Sequence, residues 1–582
     1  MKKIIYSLLL LFLLTVANAQ TVNIKIIETT DVHGAIYPYD FKNDKPLKGS
    51  LAHVAAYLKE ERGKKNQKVI LLDNGDILQG TPAVYYYNFE KPQEKHLYAE
   101  VMNYLQYEVG TVGNHDIEPG HAVYDRFKEE INFPWLAANA VNVKNGKPYF
   151  EPYVIIEKEG IRIAVLGLTT PGIPNWLPPK IYKGIDFMDM VKTAEKWVPI
   201  IERKEKPDIL IGLFHAGVDY TYGGATKETK RNENAAELVA EEVPGFDLVF
   251  VGHDHHGWNK HVKNIAGKDV LIIGATSSAR NVASVSLAYN KKAKKIVSLN
   301  GQIVDMKNFL PDADFLLKFE KQFDEIKSYV SQPLGVFSTP IKSTEALFGP
   351  SKFTQLINKI QIELSGADIS FTAPLSFNAK IDSGTIYVKD MFKLYHYENL
   401  LYTMKLTGKE IKKYLEYTAG IWFNKMENET DHLLKFKKDE KGNIIYSNRT
   451  NSPALAHSYY NYDAGYGIDY MVDVTKPKGY RIKILNMSNG EKFLPDKKYK
   501  VAVNSYRGNG GGGHFVKGVG IGKIKLAGRI ISSTEKDLRY YIMKWIEKQK
   551  TVDVKSDFNW KVIPEDYWQK GKERDFNLLI KK

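Results

Sequence analysis

Short runs of Val, Ile and Leu recur through the first half of the chain, and amphipathic stretches separate them. The apolar runs at Asn23–Glu28, Lys68–Leu72, Glu108–Val112, Ile161–Leu168, Asp208–Phe214, Asp247–Val251 and Val270–Ile273 read as strands. Several are nearly continuous in β-branched residues and leucine, the pattern of strands covered on both faces. Between them, Leu51–Arg62, Leu97–Leu105, Met190–Glu205 and Asn234–Glu242 carry helical periodicity. Strand and helix in alternation predict a layered α/β domain. From Phe309 to Val330 the period turns helical and charged, and Gln332-Pro333-Leu334-Gly335 breaks it. Residues 336–535 mix strand and helix patterns and are rich in tyrosine. A basic, amphipathic stretch occupies 536–582.

The first residues do not fit that scheme. Met1-Lys2-Lys3 is a short basic region, Ile4–Val16 is almost wholly apolar, and Ala17-Asn18-Ala19 has the small-x-small form of an export cleavage site. The apolar run, about 13 residues, is short for a membrane span, which needs roughly 20. A signal peptide over 1–19 is therefore expected, with the mature chain starting at Gln20 and lying in the periplasm or outside the cell. The expected organisation is a signal peptide at 1–19, a first domain at 20–308, a linker helix at 309–335, a second domain at 336–535 and a basic extension at 536–582.

Composition narrows the chemistry. The chain of 582 residues has no cysteine, so an exported protein of this sequence has neither disulfide nor lipoprotein anchor. Any metal site must use His, Asp, Glu or Asn. The net charge of +14 comes from basic residues spread along the sequence. It reads as a solvated surface that attracts anionic substrates, with no stable nucleic-acid complex and a monomeric chain expected.

The chemistry-bearing residues sit where the first-half strands stop. Asp31-Val32-His33-Gly34 follows the first, Asp73-Asn74-Gly75-Asp76 the second, and Gly113-Asn114-His115-Asp116 the third. His215 ends a later run, and Gly252-His253-Asp254-His255-His256 follows Leu248–Val251. Ligands of α/β sheets gather at the carboxyl ends of strands. The first four motifs alone are ordinary turns, a cap or a core histidine, and the three histidines in four residues of the fifth suit a metal as well as a loop; five together predict a metal site. Oxygen and imidazole donors without thiolate suit Mn, Zn, Fe, Co or Ni. A carboxylate bridging two such ions about 3.5–4 Å apart gives a clamp for a phosphoryl group.

These motifs, beginning with Ile24-Lys-Ile-Ile-Glu-Thr-Thr-Asp31-Val-His33-Gly-Ala-Ile36, resemble the calcineurin-like metallophosphoesterases. More narrowly they resemble the bacterial 5′-nucleotidase and 2′,3′-cyclic-nucleotide phosphodiesterase family, and the resemblance runs across nearly the whole mature chain. It implies a four-layer α/β/β/α metallophosphoesterase domain, then the linker helix, then an α+β domain that selects the nucleotide. It further implies two divalent ions, one held by Asp31, His33 and His255 and the other by Asn114, His215 and His253, with Asp76 bridging. A metal-bridging hydroxide would attack phosphorus, and His115 would stand unmetallated beside the phosphate. The family's second signature commonly reads Gly-Asn-His-Glu-Phe followed by Asp or Asn, whereas here it is Gly113-Asn-His-Asp-Ile-Glu118. The carboxylate that orients the histidine is then expected at Glu118, the alternative being a solvated Glu118 and an Asp116 that caps the next turn.

In the second half, Tyr397 within Leu394-Tyr-His-Tyr397-Glu and Tyr506 within Asn504-Ser-Tyr-Arg507-Gly-Asn-Gly-Gly fall where the family places two base-stacking aromatics. Asn504 and Arg507 are expected to bind substrate beside them. Gly508–Gly513 lacks the Lys-Ser/Thr of a P-loop and is expected to give the base a close backbone approach. The stretches Tyr39–Pro46 and Tyr460–Asp473 resemble the cyclic phosphodiesterase/3′-nucleotidase branch, and 373–380 lacks the arginine usual in the 5′-nucleotidase branch. A cyclic phosphodiesterase/3′-nucleotidase is therefore expected. A 5′-nucleotidase or UDP-sugar hydrolase is the nearest alternative, and a non-catalytic nucleotide- or RNA-binding protein the alternative of another class.

Overall fold

The computed structural model describes residues 21–447 and 452–581, so the expected signal peptide lies outside the described residues. The chain divides into two compact units, the first ending at Tyr329 and the second running from Val330, with Asn175–Pro178 grouped with the second.

The first unit holds two six-stranded sheets. One has the order Lys295–Asp305, Asn281–Asn290, Thr21–Thr29, Lys68–Asp73, Val109–Thr111, Trp135–Leu136. The other has the order Trp258–Lys263, Asp269–Gly274, Leu248–Val251, Ile209–His215, Ile161–Thr169, Tyr153–Lys158. Alternation along the strands explains how they stack. Ile209, Ile211 and Leu213 join Ile24, Ile26, Ile70 and Leu72 in the core between the sheets. The intervening Leu210 and Phe214 face the other way, onto Ala194, Val198, Val239 and Ala240 of the helices Met190–Glu205 and Ala236–Glu242. On the far side, Tyr57 of the helix Leu51–Gly63 meets Ser284 of the first sheet at 2.9 Å between hydroxyls. The layers are helix, sheet, sheet, helix.

The central strands of each sheet run parallel: Thr21–Thr29 beside Lys68–Asp73 beside Val109–Thr111, and Ile161–Thr169 beside Ile209–His215 beside Leu248–Val251. Their carboxyl ends therefore lie along one edge of their sheet, which is where the five motifs begin. The helices Leu97–Leu105 and Met190–Glu205 have the limits read from periodicity. Four outer strands, Tyr153–Lys158, Trp258–Lys263, Asn281–Asn290 and Lys295–Asp305, were not expected. They are antiparallel and polar on one face, so they lack the unbroken apolar run that marks a buried parallel strand.

Two expected segments differ in the structure. The linker at 309–335 is two helices, Ala313–Lys318 and Glu320–Val330, broken at Phe319 and followed by the strand Pro333–Phe337. The helices belong to the first unit because Phe315, Phe319 and Ile326 are buried. Tyr37 Oη also donates to Phe319 O at 2.9 Å, and the Phe323 ring meets Tyr37 and Phe41. The expected basic extension at 536–582 is part of the second unit. Thr551–Val552 pairs with Val336–Phe337, and Trp560–Ile563 pairs with Tyr470–Asp473. Trp560 and Val562 point inward while Lys561 is exposed, a two-residue alternation that basic composition obscures. The unit's main sheet has the order Ala464–Tyr466, Ile369–Thr372, Lys498–Asn504, Leu401–Thr407, Ile530–Ser533.

One buried group of the first unit gives its stability a pH dependence. His96 caps the helix Leu97–Leu105: its Nδ1 accepts from Tyr98 N–H at 3.1 Å, so the proton sits on Nε2, which donates to Asn88 Oδ1 at 2.9 Å. Burial, and then the charge of Arg126, lowers its pKa to about 3. The unfolded chain takes up a proton near the ordinary value of 6.5 and the folded chain does not. The stabilisation is thus complete above the unfolded pKa and falls by at most about 1.36 kcal/mol per pH unit as the pH drops toward the folded one. The gap in thermal midpoint between the wild type and His96→Gln should therefore narrow from about pH 7.5 to about pH 5; a gap that stays constant contradicts this account.

Candidate metal centre

Each motif turns sharply as it leaves its strand. Asp31, His33, Asp76, His253 and His255 all have left-handed backbone, with φ of 50°, 48°, 60°, 73° and 58°. Five strained, non-glycine residues in one place are held there by their surroundings, a concentration typical of functional sites. Asp31 N–H donates to Gly75 O and His33 N–H to Asp76 O, both at 2.9 Å, which ties the first motif to the second. Close approach fixes the glycines: a Cβ on Gly113 would lie 2.2 Å from Asp76 Oδ1, and one on Gly252 would lie 2.1 Å from Thr30 Oγ1.

Two sets of donor atoms result. Asp31, His33 and His255 present atoms within 4.8 Å of one another, and so do Asp76, His215 and His253. Asn114 Oδ1 lies 3.2 Å from His215 Nε2. Asp76 Oδ2 stands between the sets, 3.2 Å from His215 Nε2 and 4.0 Å from His33 Nε2. His33 Nδ1 donates to Gln79 O at 3.1 Å and His215 Nδ1 to Asn74 O at 2.6 Å, so both rings turn Nε2 inward, free to ligate a metal once the ring is neutral. His33 and His255 face each other Nε2 to Nε2 at 3.1 Å, close enough for one cation or one shared proton to lie between them.

The electrostatics also call for positive charge. Burial opposes ionisation of Asp31, yet His255 and His215 hold its carboxyl down at about 2. Burial likewise works against a charged His215, and Asp76 and Asp31 overcome it, holding the imidazole up to about 10. Carboxylates buried this deeply among imidazoles fit two divalent cations, and the donor set, free of sulfur, suits hard or borderline ions.

His115 borders both sets without joining either. Its backbone N–H donates to Asp76 Oδ1 at 2.8 Å, its ring stands edge-on to His33 with centroids 5.3 Å apart, and its Nδ1 pairs with Glu118. Burial resists the charge, but Asp76 and Glu118 raise its pKa to about 9. Asp116 does the other job weighed for this turn: it accepts from Gly113, Asp76, Ile77 and Leu78 N–H at 2.7–3.0 Å and so fixes the second and third motifs to each other. Glu233 was not anticipated. Its Oε1 lies 3.3 Å from His253 Nε2, and nothing in the polar loop around it marks it beforehand. His256 is exposed and turned toward Asp254 O.

In the second unit, Tyr397 and Tyr506 are half-buried. Tyr397 meets Tyr460 with centroids 6.4 Å apart, and Tyr459 and Phe377 continue that aromatic row. Gly511 lies directly against the Tyr506 ring, where a Cβ would come within 2.6 Å. Asn504 and Arg507 are not placed as expected. Arg507 is only 2% exposed; it is bidentate to Asp463 at 2.9 and 2.8 Å and donates to Gly511 O and Tyr460 O. Asn504 accepts from Arg507 N–H as a cap. Through these bonds both residues shape the loop that carries Tyr506.

Comparison with known proteins agrees with this arrangement. The calcineurin-like phosphoesterase family matches residues 24–257, and the 5′-nucleotidase C-terminal domain matches residues 333–518. The chain is 26% identical to the trifunctional nucleotide phosphoesterase YfkN of Bacillus subtilis, over 94% of this chain and 39% of that longer protein. It is 28% identical to a 2′,3′-cyclic-nucleotide 2′-phosphodiesterase/3′-nucleotidase of Haemophilus influenzae, over 93% and 88%. The fold matches a 5′-nucleotidase precursor of Thermus thermophilus with a TM-score of 0.62 at 19% identity, over 93% of this chain and all of that one. Residues 24–257 therefore belong to the calcineurin-like phosphoesterases, a fold that implies divalent metal ions, and residues 333–518 to the 5′-nucleotidase C-terminal domain, a pairing that makes the chain a phosphoric ester hydrolase.

Proposed function

We propose that the protein is an exported hydrolase that opens 2′,3′-cyclic nucleotides and then removes the 3′-phosphate. The placement of Asp76 between two imidazole–carboxylate sets carries the hydrolytic part of the reading. Asp31, His33 and His255 would hold one divalent ion and Asn114, His215 and His253 the other, with Asp76 shared. Bound there, the ions would polarise the phosphoryl oxygens and clamp them for in-line displacement.

The protein's own groups orient and move protons. His115, held at Nδ1 by Glu118, directs its Nε2–H at the leaving oxygen. In the first reaction water adds to phosphorus, the P–O2′ bond breaks and O2′ takes a proton, leaving a 3′-monoester. In the second, water adds again, the P–O3′ bond breaks, and nucleoside and phosphate separate. Tyr397 and Tyr506 would grip the base. The preference for cyclic and 3′ esters draws on the named activity of the Haemophilus influenzae relative and on the absence of arginine from 373–380. Export draws on the amino-terminal pattern; among the described residues, no helix is long and apolar enough to cross a membrane.

The test is a substrate panel on metal-loaded protein recovered after export, its amino terminus expected at Gln20. Hydrolysis of 2′,3′-cAMP and 3′-AMP well above 5′-AMP is expected. Preference for 5′-AMP with no action on the cyclic ester would turn the reading toward a 5′-nucleotidase. Tyr506→Ala should raise KM for the nucleotides about tenfold, the weight of one lost stacking partner, and leave hydrolysis of bis(p-nitrophenyl) phosphate unchanged.

A further inference from the structure

Basic residues that look dispersed in the sequence converge on one face of the second unit. Lys435 and Lys437 flank the buried Phe436, so alternation sends both lysines outward on the same side. The segment pairs with the one leading to His457: Ala456 N–H donates to Lys435 O at 2.8 Å and Lys437 N–H to Ala454 O at 2.7 Å. Lys435 Nζ donates to Gly420 O at 2.5 Å, at the end of the helix Gly408–Trp422. The stem of Lys478 crosses the same glycine, and its Nζ sits 5.5 Å from the centre of the Tyr417 ring. Lys517 lies along Gly513, whose Cβ position is 2.8 Å from Tyr417 Oη and 3.3 Å from Lys517 Cδ. Among the described residues, none of these four lysines is paired with a carboxylate. Partial burial, and then the charges of Lys435, Lys478, Lys437 and Lys517, depress the pKa of His457. Tyr480, beside Lys478, is 77% exposed.

The patch adjoins the loop of the proposed base site. Gly511 touches the Tyr506 ring, Tyr417 Oη donates to Gly512 O at 3.2 Å, and Gly513 touches Tyr417 and Lys517. Gly511 and Gly513 are two Cα steps apart, at most about 7.6 Å, a span that a single nucleotide can bridge. Unpaired cations interleaved with aromatic rings are the recognition surface of single-stranded nucleic acid, the charges tracking phosphates and the rings accepting bases. A 3′-mononucleotide carries a single phosphate, the one to be hydrolysed, whereas an oligonucleotide has further phosphates to offer this face.

We propose that Lys435, Lys437, Lys478, Lys517 and Tyr417 form a binding track for the phosphodiester backbone of single-stranded RNA, presenting its 3′-terminal nucleotide to the Tyr506 loop. The proposal rests on the nucleotide reading above and widens its substrate class from mononucleotides to the 3′ ends of oligoribonucleotides.

The test uses the full metal-loaded chain and the variant Lys437→Gln/Lys478→Gln/Lys517→Gln, in which only exposed lysines change. Fluorescence anisotropy with a labelled 3′-hydroxyl RNA of about eight nucleotides measures binding independently of hydrolysis. The variant is expected to bind at least tenfold more weakly. Its slope of log K against log salt should be shallower by about 2, since each phosphate contact contributes about 0.7. With a 3′-phosphorylated form of the RNA as substrate, KM should rise, while kcat and KM for 3′-AMP stay at wild-type values, which also shows that the fold is intact. Unchanged RNA affinity, an equal loss on 3′-AMP, or competition by inorganic polyphosphate as strong per phosphate as by RNA would overturn the proposal. Wild-type protein that binds RNA through these lysines but hydrolyses no nucleotide ester would overturn the functional reading and leave the track standing.

Discussion

Replacing Asp76 with asparagine is expected to lower kcat by at least about a thousandfold, roughly 4 kcal/mol of transition-state stabilisation, and to leave fewer than two metal ions per chain. Asparagine keeps the shape and can still accept the His115 backbone N–H, so the turn at φ 60° is retained. What it removes is the one negative charge set between His33 and His215. A neutral amide cannot bridge two cations, and the carboxylate is 1% exposed, so no solvent group replaces it. Metal content by mass spectrometry and steady-state kinetics check the result. The thermal midpoint of metal-free protein should fall as well, because the carboxylate, held against its burial well below its usual range by His215 and His115, balances the charge on those two buried imidazoles. Two retained ions and a wild-type kcat would remove Asp76 from the bridging position.

The second large effect separates chemistry from metal binding. His115→Ala should keep both ions and lower kcat about 10²- to 10⁴-fold, the usual contribution of a positioned proton donor. Glu118→Gln should lower it less, since the ring remains and loses only its partner at Nδ1. The decisive variant is the double one. If Glu118 acts through His115, adding Glu118→Gln to His115→Ala costs nothing further. Losses that multiply would show that Glu118 has a separate task. Asp116→Asn serves as a contrast, because Asp116 fixes four backbone N–H groups and its loss should disturb metal binding as well.

The residues legible in the sequence share one trait: their neighbours in the chain already constrain them. Asp31, Asp76 and His253 each follow a short run of Val, Ile or Leu that reads as a buried strand, and the parallel strands that result deliver their ends to one place. The limits of Leu97–Leu105 and Met190–Glu205 were legible for a similar reason, since their apolar faces begin and stop with the helix. What was hidden depends on partners far along the chain. Arg507 reads as a substrate ligand until Asp463 is found bidentate to it across the interior. Glu233 becomes notable only beside His253. Lys435, Lys478 and Lys517 look like scattered surface charge because three separate segments carry them. The strand Trp560–Ile563 is masked by the lysines around it, although Trp560 and Val562 keep the alternation.

The pairing of early with late strands sets an order of assembly as the chain emerges from its amino terminus. Thr21–Thr29 finds its antiparallel neighbour only in Asn281–Asn290, and Pro333–Phe337, which opens the second unit, is flanked on one side by Thr551–Val552. Contacts this distant in sequence form late, because a long loop must close before they are rewarded. The nascent first unit therefore waits with one edge of Thr21–Thr29 bare while its other edge already holds Lys68–Asp73. A chain stalled short of Asn281, or short of Thr551, would present an open strand edge, a template for joining another such chain.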